Sequence, residues 1–213
     1  MIEVFLASLV TFFVVIDPPG VTPMFSTLTQ GMPGDMRTLM AWKSVAVASG
    51  ILFAFAFGGE WVLGELHVSL AAFRVAGGLL LFLIALDMLF ETRTQRRQAR
   101  NAKVLEERRA HPGEHDDISV FPLAIPLIAG PGSIASIMLL FAQHAEWSLR
   151  AAILAGVAVN LALTLAVFLI AARVSQLMSA TLAAIVTKVF GILLAALAAQ
   201  FTIDGIKSAF GLN

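Results

Sequence analysis

Ile16-Asp17-Pro18-Pro19-Gly20-Val21-Thr22-Pro23 decides how this sequence reads. It interrupts an apolar run that begins near Glu3, and it cannot continue as ordinary α-helix. The adjacent prolines withdraw two amide donors, and each disfavours helical angles in the residue before it. A second interruption, Ile125-Pro126-Leu127-Ile128-Ala129-Gly130-Pro131-Gly132-Ser133, also follows an apolar run. Its Pro131-Gly132 stands 112 residues after Pro19-Gly20. Here glycines let the backbone open.

The surroundings of both stretches are those of a membrane protein. Of 213 residues, 59% are hydrophobic and 13% charged, against roughly a quarter charged in an ordinary soluble domain. Seven of the 14 basic and six of the 14 acidic residues crowd between Glu91 and Asp117, so few remain to solvate a globular surface. This composition excludes disorder and a basic nucleic-acid-binding face, and it argues against a soluble enzyme. The expected partner is the lipid bilayer, with no nucleic acid. The formal net charge is +0, which implies no acidic or basic partner, and the absence of cysteine removes disulfide and thiol chemistry.

A hydrocarbon core of about 30 Å takes about 20 apolar residues of helix to cross. On that ruler the spans are 3–30 (broken), 41–59, 69–90, 118–144 (broken), 150–172 and 181–204. The expected fold is an all-α membrane protein of six transmembrane helices, with helices 1 and 4 discontinuous. Glu3 stands where a signal peptide needs a base, and no small-residue cleavage site follows, so the first run reads as a membrane helix. The hydrophilic loop 91–117 divides a first three-helix unit, 1–90, from a second, 118–213. Its seven bases place it in the cytoplasm and both termini outside. Trp42 then falls at inner helix ends and Trp61 and Trp147 at outer ends, where indoles favour the interface.

The two units also resemble each other near their ends. Arg74-Val75-Ala76-Gly77-Gly78-Leu79-Leu80 matches Lys188-Val189-Phe190-Gly191-Ile192-Leu193-Leu194, 114 residues later. Three helices per unit is an odd number, so the second unit enters the membrane from the opposite face. That is an inverted repeat, a device of many secondary transporters.

At 1.5 Å per residue each break lies roughly 18–20 Å into the bilayer. Entered from opposite faces of a core about 30 Å thick, both breaks lie near the midplane. Irregular backbone at that depth must face protein or a wet cavity. Half-helices starting near Gly20 and Gly132 would aim free N–H groups there, a favourable place for a carboxylate. Asp17 sharpens the expectation, because an acid at the membrane centre is costly and its repeat counterpart is Ala129. It has three open roles: pairing with a substrate ammonium, carrying a coupling proton, or capping the second half-helix.

The candidate binding residues are therefore Asp17, Pro18, Pro19, Gly20 and Thr22 in one break, and Gly130, Pro131, Gly132 and Ser133 in the other. Asn160 and Gln200, polar within apolar spans, are further candidates, although such residues also hold helices together. Arg74 and Lys188 read most simply as snorkelling to the interface, and Gly77, Gly78 and Gly191 as packing positions. His111-Pro112-Gly113-Glu114-His115-Asp116-Asp117 has metal-binding residue types, but as a hydrophilic loop it reads as solvated, and no metal or other cofactor is expected. A phosphate-binding glycine loop with lysine and a Ser/His/Asp set are both missing, so neither an enzyme nor ATP-driven transport is expected.

These stretches also carry a family likeness. Ile16 to Phe25, Phe121 to Ile134, Arg74 to Gly78 and Gln200-Phe201-Thr202-Ile203-Asp204-Gly205-Ile206 together resemble the MarC family of prokaryotic integral membrane proteins, also known as the neutral amino acid transporter family. The likeness spans essentially the whole chain, except for the hydrophilic loop. It implies a six-helix inner-membrane protein that moves small neutral amino acids such as alanine and glycine, driven by the proton gradient. The family's name carries an association with antibiotic resistance, weak ground for drug export. The alternatives are an exporter of drugs or other small solutes, and a channel. A channel explains the breaks but not an acid on one side alone.

Overall fold

Every apolar run coils into helix, as backbone groups in lipid require. The computed structural model describes residues 1–30, 32–90, 119–173 and 180–211, and among these no strand occurs. The elements are α1 (Ile2–Ile16), α2 (Pro18–Leu28), α3 (Gly34–Glu65), α4 (Leu70–Leu89), α5 (Ser119–Ile128), α6 (Pro131–Gln143), α7 (Trp147–Arg173) and α8 (Ala180–Phe210). Among the described residues five helices are long and apolar enough to cross a membrane: 2–28 taken through its break, 34–65, 70–89, 147–173 and 187–210. The remaining apolar stretch is the pair α5 and α6, each shorter than a span.

Local chemistry sets the ends. Pro33 precedes α3, with Asp35 in the first turn, where a carboxylate favours the positive end of the helix dipole. The Ser69 hydroxyl accepts the Ala72 amide at 3.1 Å and caps α4. Beyond α8, Gly211 takes the left-handed conformation at φ 64°, a common helix stop. Both α3 and α8 run past the apolar limits expected of them. The ruler of 41–59 measured only what hydrocarbon demands, whereas helix α3 continues through Arg37 at one end and Trp61 at the other.

Three layers follow from the packing. The broken helices lie in the middle: α1 and α2 rest on α7, and α5 and α6 rest on α3. On the other side, α6 packs on α4 and α2 on α8. The outer layers are the pairs α3–α7 and α4–α8, the latter the most extensive contact among the described elements. Phe25 stacks on Phe168 at 4.4 Å between α2 and α7. Phe13 meets Phe190 edge-on at 5.0 Å between α1 and α8.

Lipid supplies no hydrophobic drive for helices to associate, so close approach through small residues matters. A Cβ on Gly78 would sit 2.8 Å from the Ala198 carbonyl, and one on Gly191 would sit 3.2 Å from the Ala85 carbonyl. Gly205 lies as close to the Val75 amide, 2.8 Å. As residue numbers rise along α4 they fall along α8, so the two helices run antiparallel. The glycines expected to pack do so, and a larger residue at Gly78 would meet backbone, which cannot give way.

Candidate functional site at the paired helix breaks

The first break is narrower than its prolines suggest. Only Asp17 leaves the helix; α2 begins at Pro18 and carries Pro23 within it. Pro18 and Pro19 occupy the first two helical positions, where an amide has no intrahelical acceptor and its loss costs nothing. Their fixed φ suits that turn, so prolines that should have prolonged the interruption instead start a helix at once. Asp17 takes the left-handed conformation, φ 56° and ψ 62°, which aspartate tolerates better than most residues. Its amide closes α1 on the Phe13 carbonyl at 3.0 Å, and its carbonyl opens α2 by accepting from Val21 at 3.0 Å.

The Asp17 side chain is fully buried, the one ionisable side chain so placed among the described residues. Oδ1 accepts the Gly20 amide at 3.1 Å, so that amide is not free for a ligand, contrary to the expectation for this half-helix. Oδ2 accepts from the Thr187 hydroxyl of α8 at 3.1 Å, across 170 residues of chain. Thr187, buried like Asp17, escaped the sequence reading. Its only hint is a place beside the Lys188 motif. Gly20 is required here: a Cβ would overlap the Asp17 carboxylate and come within 2.9 Å of the Thr187 hydroxyl. Thr22 is buried, but its hydroxyl donates to the Pro18 carbonyl at 2.6 Å, one turn back in its own helix.

The second break is built differently. Prolines four residues apart, Pro122 and Pro126, each remove an amide donor, and α5 winds as a π-helix instead of stopping. The Ala129 amide extends that wide pattern to the Ala124 carbonyl at 2.9 Å. The chain parts three residues after Pro126, through Gly130 in extended conformation (φ −80°, ψ 173°), and Pro131 starts α6. Gly130 has no side chain to cap α6, so the first amides of this helix keep their donors. The Ser133 hydroxyl is engaged, donating to the Ile128 carbonyl at 2.8 Å across the break, rather than standing ready for a carboxylate. A Cβ on Gly132 would sit 3.1 Å from Val15, the residue two before Asp17. The end of α1 and the start of α6 are therefore neighbours.

Asn160 and Gln200 are not brought to the breaks. Asn160 Nδ2 donates to the Leu9 carbonyl of α1 at 2.9 Å, and also to the Gly156 carbonyl. Leu9 stands about two helical turns before Asp17, roughly 12 Å at 1.5 Å per residue. Together with Ser8, whose hydroxyl donates to the Ile153 carbonyl at 2.9 Å, Asn160 ties α1 to α7. Gln200 lies on an exposed face of α8 and donates to Asp204 at 2.8 Å. A 3.6-residue period turned it away from the layer that holds the breaks. The His111–Asp117 segment lies outside the described residues, as does the rest of loop 91–117.

The profile of the MarC family of integral membrane proteins matches residues 2–210. A UPF0056 membrane protein of Methanocaldococcus jannaschii is 35% identical over 208 residues, covering 98% of each chain. The UPF0056 membrane protein YvbG of Bacillus subtilis is 35% identical over 207 residues, 94% of this chain and 93% of its own. One from Archaeoglobus fulgidus is 32% identical over 203 residues, 95% of this chain and 92% of its own. No solved structure matches.

Proposed function

From the premise that this chain belongs to the MarC family of integral membrane proteins, we propose that it is a secondary transporter of small neutral amino acids such as alanine and glycine, coupled to protons. One observation carries the reading: two broken helices meet in the middle layer, one bearing a buried carboxylate and the other a helix start with uncapped amides. That pair suits a zwitterion. The ammonium displaces the Thr187 hydroxyl from Asp17, and the carboxylate takes the amides of Gly132 and Ser133 at the positive end of α6. The size of the substrate follows from the family likeness and not from the geometry.

The reading includes six spans arranged as two inverted repeats, with α5 and α6 together forming the fourth. The packing partners support it. Exchanging α1–α4 for α5–α8 turns α1 on α7 into α5 on α3, α2 on α7 into α6 on α3, and α2 on α8 into α6 on α4. The same exchange carries α3–α7 and α4–α8 onto themselves. We also propose a prokaryotic inner membrane, with loop 91–117 cytoplasmic and both termini outside, on the strength of that loop's seven bases.

Counterflow in proteoliposomes tests the substrate, using labelled alanine, labelled glycine and a panel of larger solutes. Exchange of the small amino acids is expected; exchange of bulky lipophilic compounds alone would overturn the reading in favour of drug export. Asp17→Asn keeps shape and cap but loses charge and proton. If the carboxylate pairs with the ammonium, zwitterion affinity falls about ten- to a hundredfold at every pH, the scale of a lost charge-assisted hydrogen bond. If it carries the proton, exchange survives and proton-driven accumulation fails. Normal affinity and normal accumulation would reduce Asp17 to a cap.

A further inference from the structure

Arg37 stands in the first turn of α3 and Arg150 in the first turn of α7, 113 residues apart, between the 112 and 114 that separate the two matched pairs of motifs. Their surroundings correspond in the helices they join, though not in the groups they meet. Arg37 Nε donates to the hydroxyl of Thr29, the residue that closes α2, at 3.3 Å. Its Nη2 donates to the Ala171 carbonyl, in the last turn of α7, at 2.7 Å. Arg150 Nε donates to the carbonyl of His144, the residue that closes α6, at 2.8 Å. Its Nη2 reaches Glu60, near the end of α3, at 2.6 Å, and the Phe141 carbonyl of α6 at 3.4 Å. Each arginine thus ties the outer end of one half-helix to the end of the long helix from the other unit. Helix C-termini hold unsatisfied carbonyls and partial negative charge. Arg37 takes one from α7 and Arg150 two from the end of α6, while the other arm of each fork meets a side chain, Thr29 or Glu60.

Arg37 contacts one end of the antiparallel pair α3–α7, and Arg150 the other. The rise of α3 from residue 37 to residue 60 is roughly 34 Å at 1.5 Å per residue, close to the about 30 Å of a hydrocarbon core. The two ties therefore lie at opposite membrane faces, with the breaks between them. They are unequal in chemistry. Arg150 has a carboxylate partner and lies over the rings of Phe141 and Trp147, at 5.4 and 5.6 Å, whereas the acceptors shown for Arg37 are neutral.

We propose that Arg37 and Arg150 are equivalent gating residues, each holding shut one route to the paired breaks, and that the Arg37 end, with the weaker tie, opens more readily. A solute that reaches the breaks along the α3–α7 layer parts α2 from α7, or α6 from α3, and these are the joints the arginines hold. The proposal rests on the reading that the paired breaks are the transport site, but its test needs no substrate. Because the chain has no cysteine, a single Thr22→Cys reports access to the first break. Its rate of reaction with a membrane-impermeant maleimide, added to one face of sealed vesicles at a time, is the measurement.

Arg37→Gln should raise labelling from its own face about tenfold and lower it from the other, the scale of a lost charge-assisted hydrogen bond. Arg150→Gln should do the reverse, and Glu60→Gln should follow Arg150→Gln with a smaller change. Arg37→Lys and Arg150→Lys, which keep charge but lose the fork, should fall between, and they replace the glutamine variants if those do not fold. Without substitution, labelling should be faster from the Arg37 face. Both arginine variants opening the same face, or folded variants with unchanged labelling, would overturn the proposal even if alanine exchange were normal. Opposite shifts in a protein that exchanges no amino acid would keep the gates and discard the substrate.

Discussion

At Asp17 the chain turns through a left-handed residue whose carboxylate closes the start of α2; at Gly130 it turns through an extended glycine that offers α6 its carbonyl but no side-chain cap. Both half-helices begin with proline, and both breaks lie between the same kinds of outer helices. What differs is who satisfies the first amides. In the first break the protein does so itself, and Thr187 takes up the remaining carboxylate oxygen. In the second, the protein spends its polar groups elsewhere, with Ser133 bonded back to Ile128. One joint has its negative charge built in, and the other leaves the first amides of its helix without a side-chain cap. Two breaks that both start a half-helix with proline therefore satisfy its first amides in different ways.

The glycines of the two breaks give the sharpest way to break this comparison. Gly20→Ala forces a Cβ into the Asp17 carboxylate, so it should both overpack the joint and dislodge the cap, at a cost of about 2–4 kcal/mol. For Gly132→Ala the three nearest atoms are methyls of Ile84, Val15 and Leu81, at 2.9, 3.1 and 3.4 Å. Those can give way, and alanine gains helix propensity, so the net change should stay within about 1 kcal/mol. Thermal unfolding in detergent compares the two. Equal losses would mean that the breaks are built alike after all.

A smaller effect is expected at Asp17 itself. Asp17→Ala loses the cap and puts a poorly suited residue in left-handed backbone, which should cost about 2 kcal/mol. Asp17→Asn keeps both the cap and the backbone tolerance and should stay within about 1 kcal/mol of the parent protein. The same unfolding measurement separates them, and an asparagine variant as unstable as the alanine one would show that the charge, not the cap, holds the joint.

Thr187→Val should cost about 1 kcal/mol for the lost hydrogen bond, and Thr187→Ser should restore most of it. If serine restores nothing, the methyl group and not the hydroxyl is what α8 presents to Asp17. The least effect on stability belongs to Gly130→Ser, which installs the cap that α6 lacks and should stabilise by only a few tenths of a kcal/mol. Its use is in binding: alanine affinity in counterflow should fall, because the new hydroxyl competes for the amides assigned to the substrate. Unchanged affinity would remove those amides from the site.

The existence of both breaks was legible in the sequence because proline acts locally, on its own amide and on the residue before it. Their width was not. Whether Pro18 ends one helix or begins the next depends on the angle at Asp17, and Pro122 and Pro126 are absorbed by a π-helix that periodicity does not announce. Among the polar candidates, Asp17 stands where expected, and its partner Thr187 was invisible. Asn160 and Gln200 were chosen for being polar in apolar spans, a property that marks cost but not direction. One faces α1 and the other faces outward.

The sequence by itself determined that this chain is helical, apolar enough for a membrane and broken at two related places. Those properties follow from the cost of bare backbone in lipid and from the covalent constraint of proline. Only the tertiary structure decided which groups meet. Thr187 reaches Asp17 across 170 residues, Arg37 reaches Ala171 across 134, and Gly78 lies under Ala198 and Thr202. Contacts of that range depend on how whole helices rotate and slide against one another, and no local pattern of residue types encodes that.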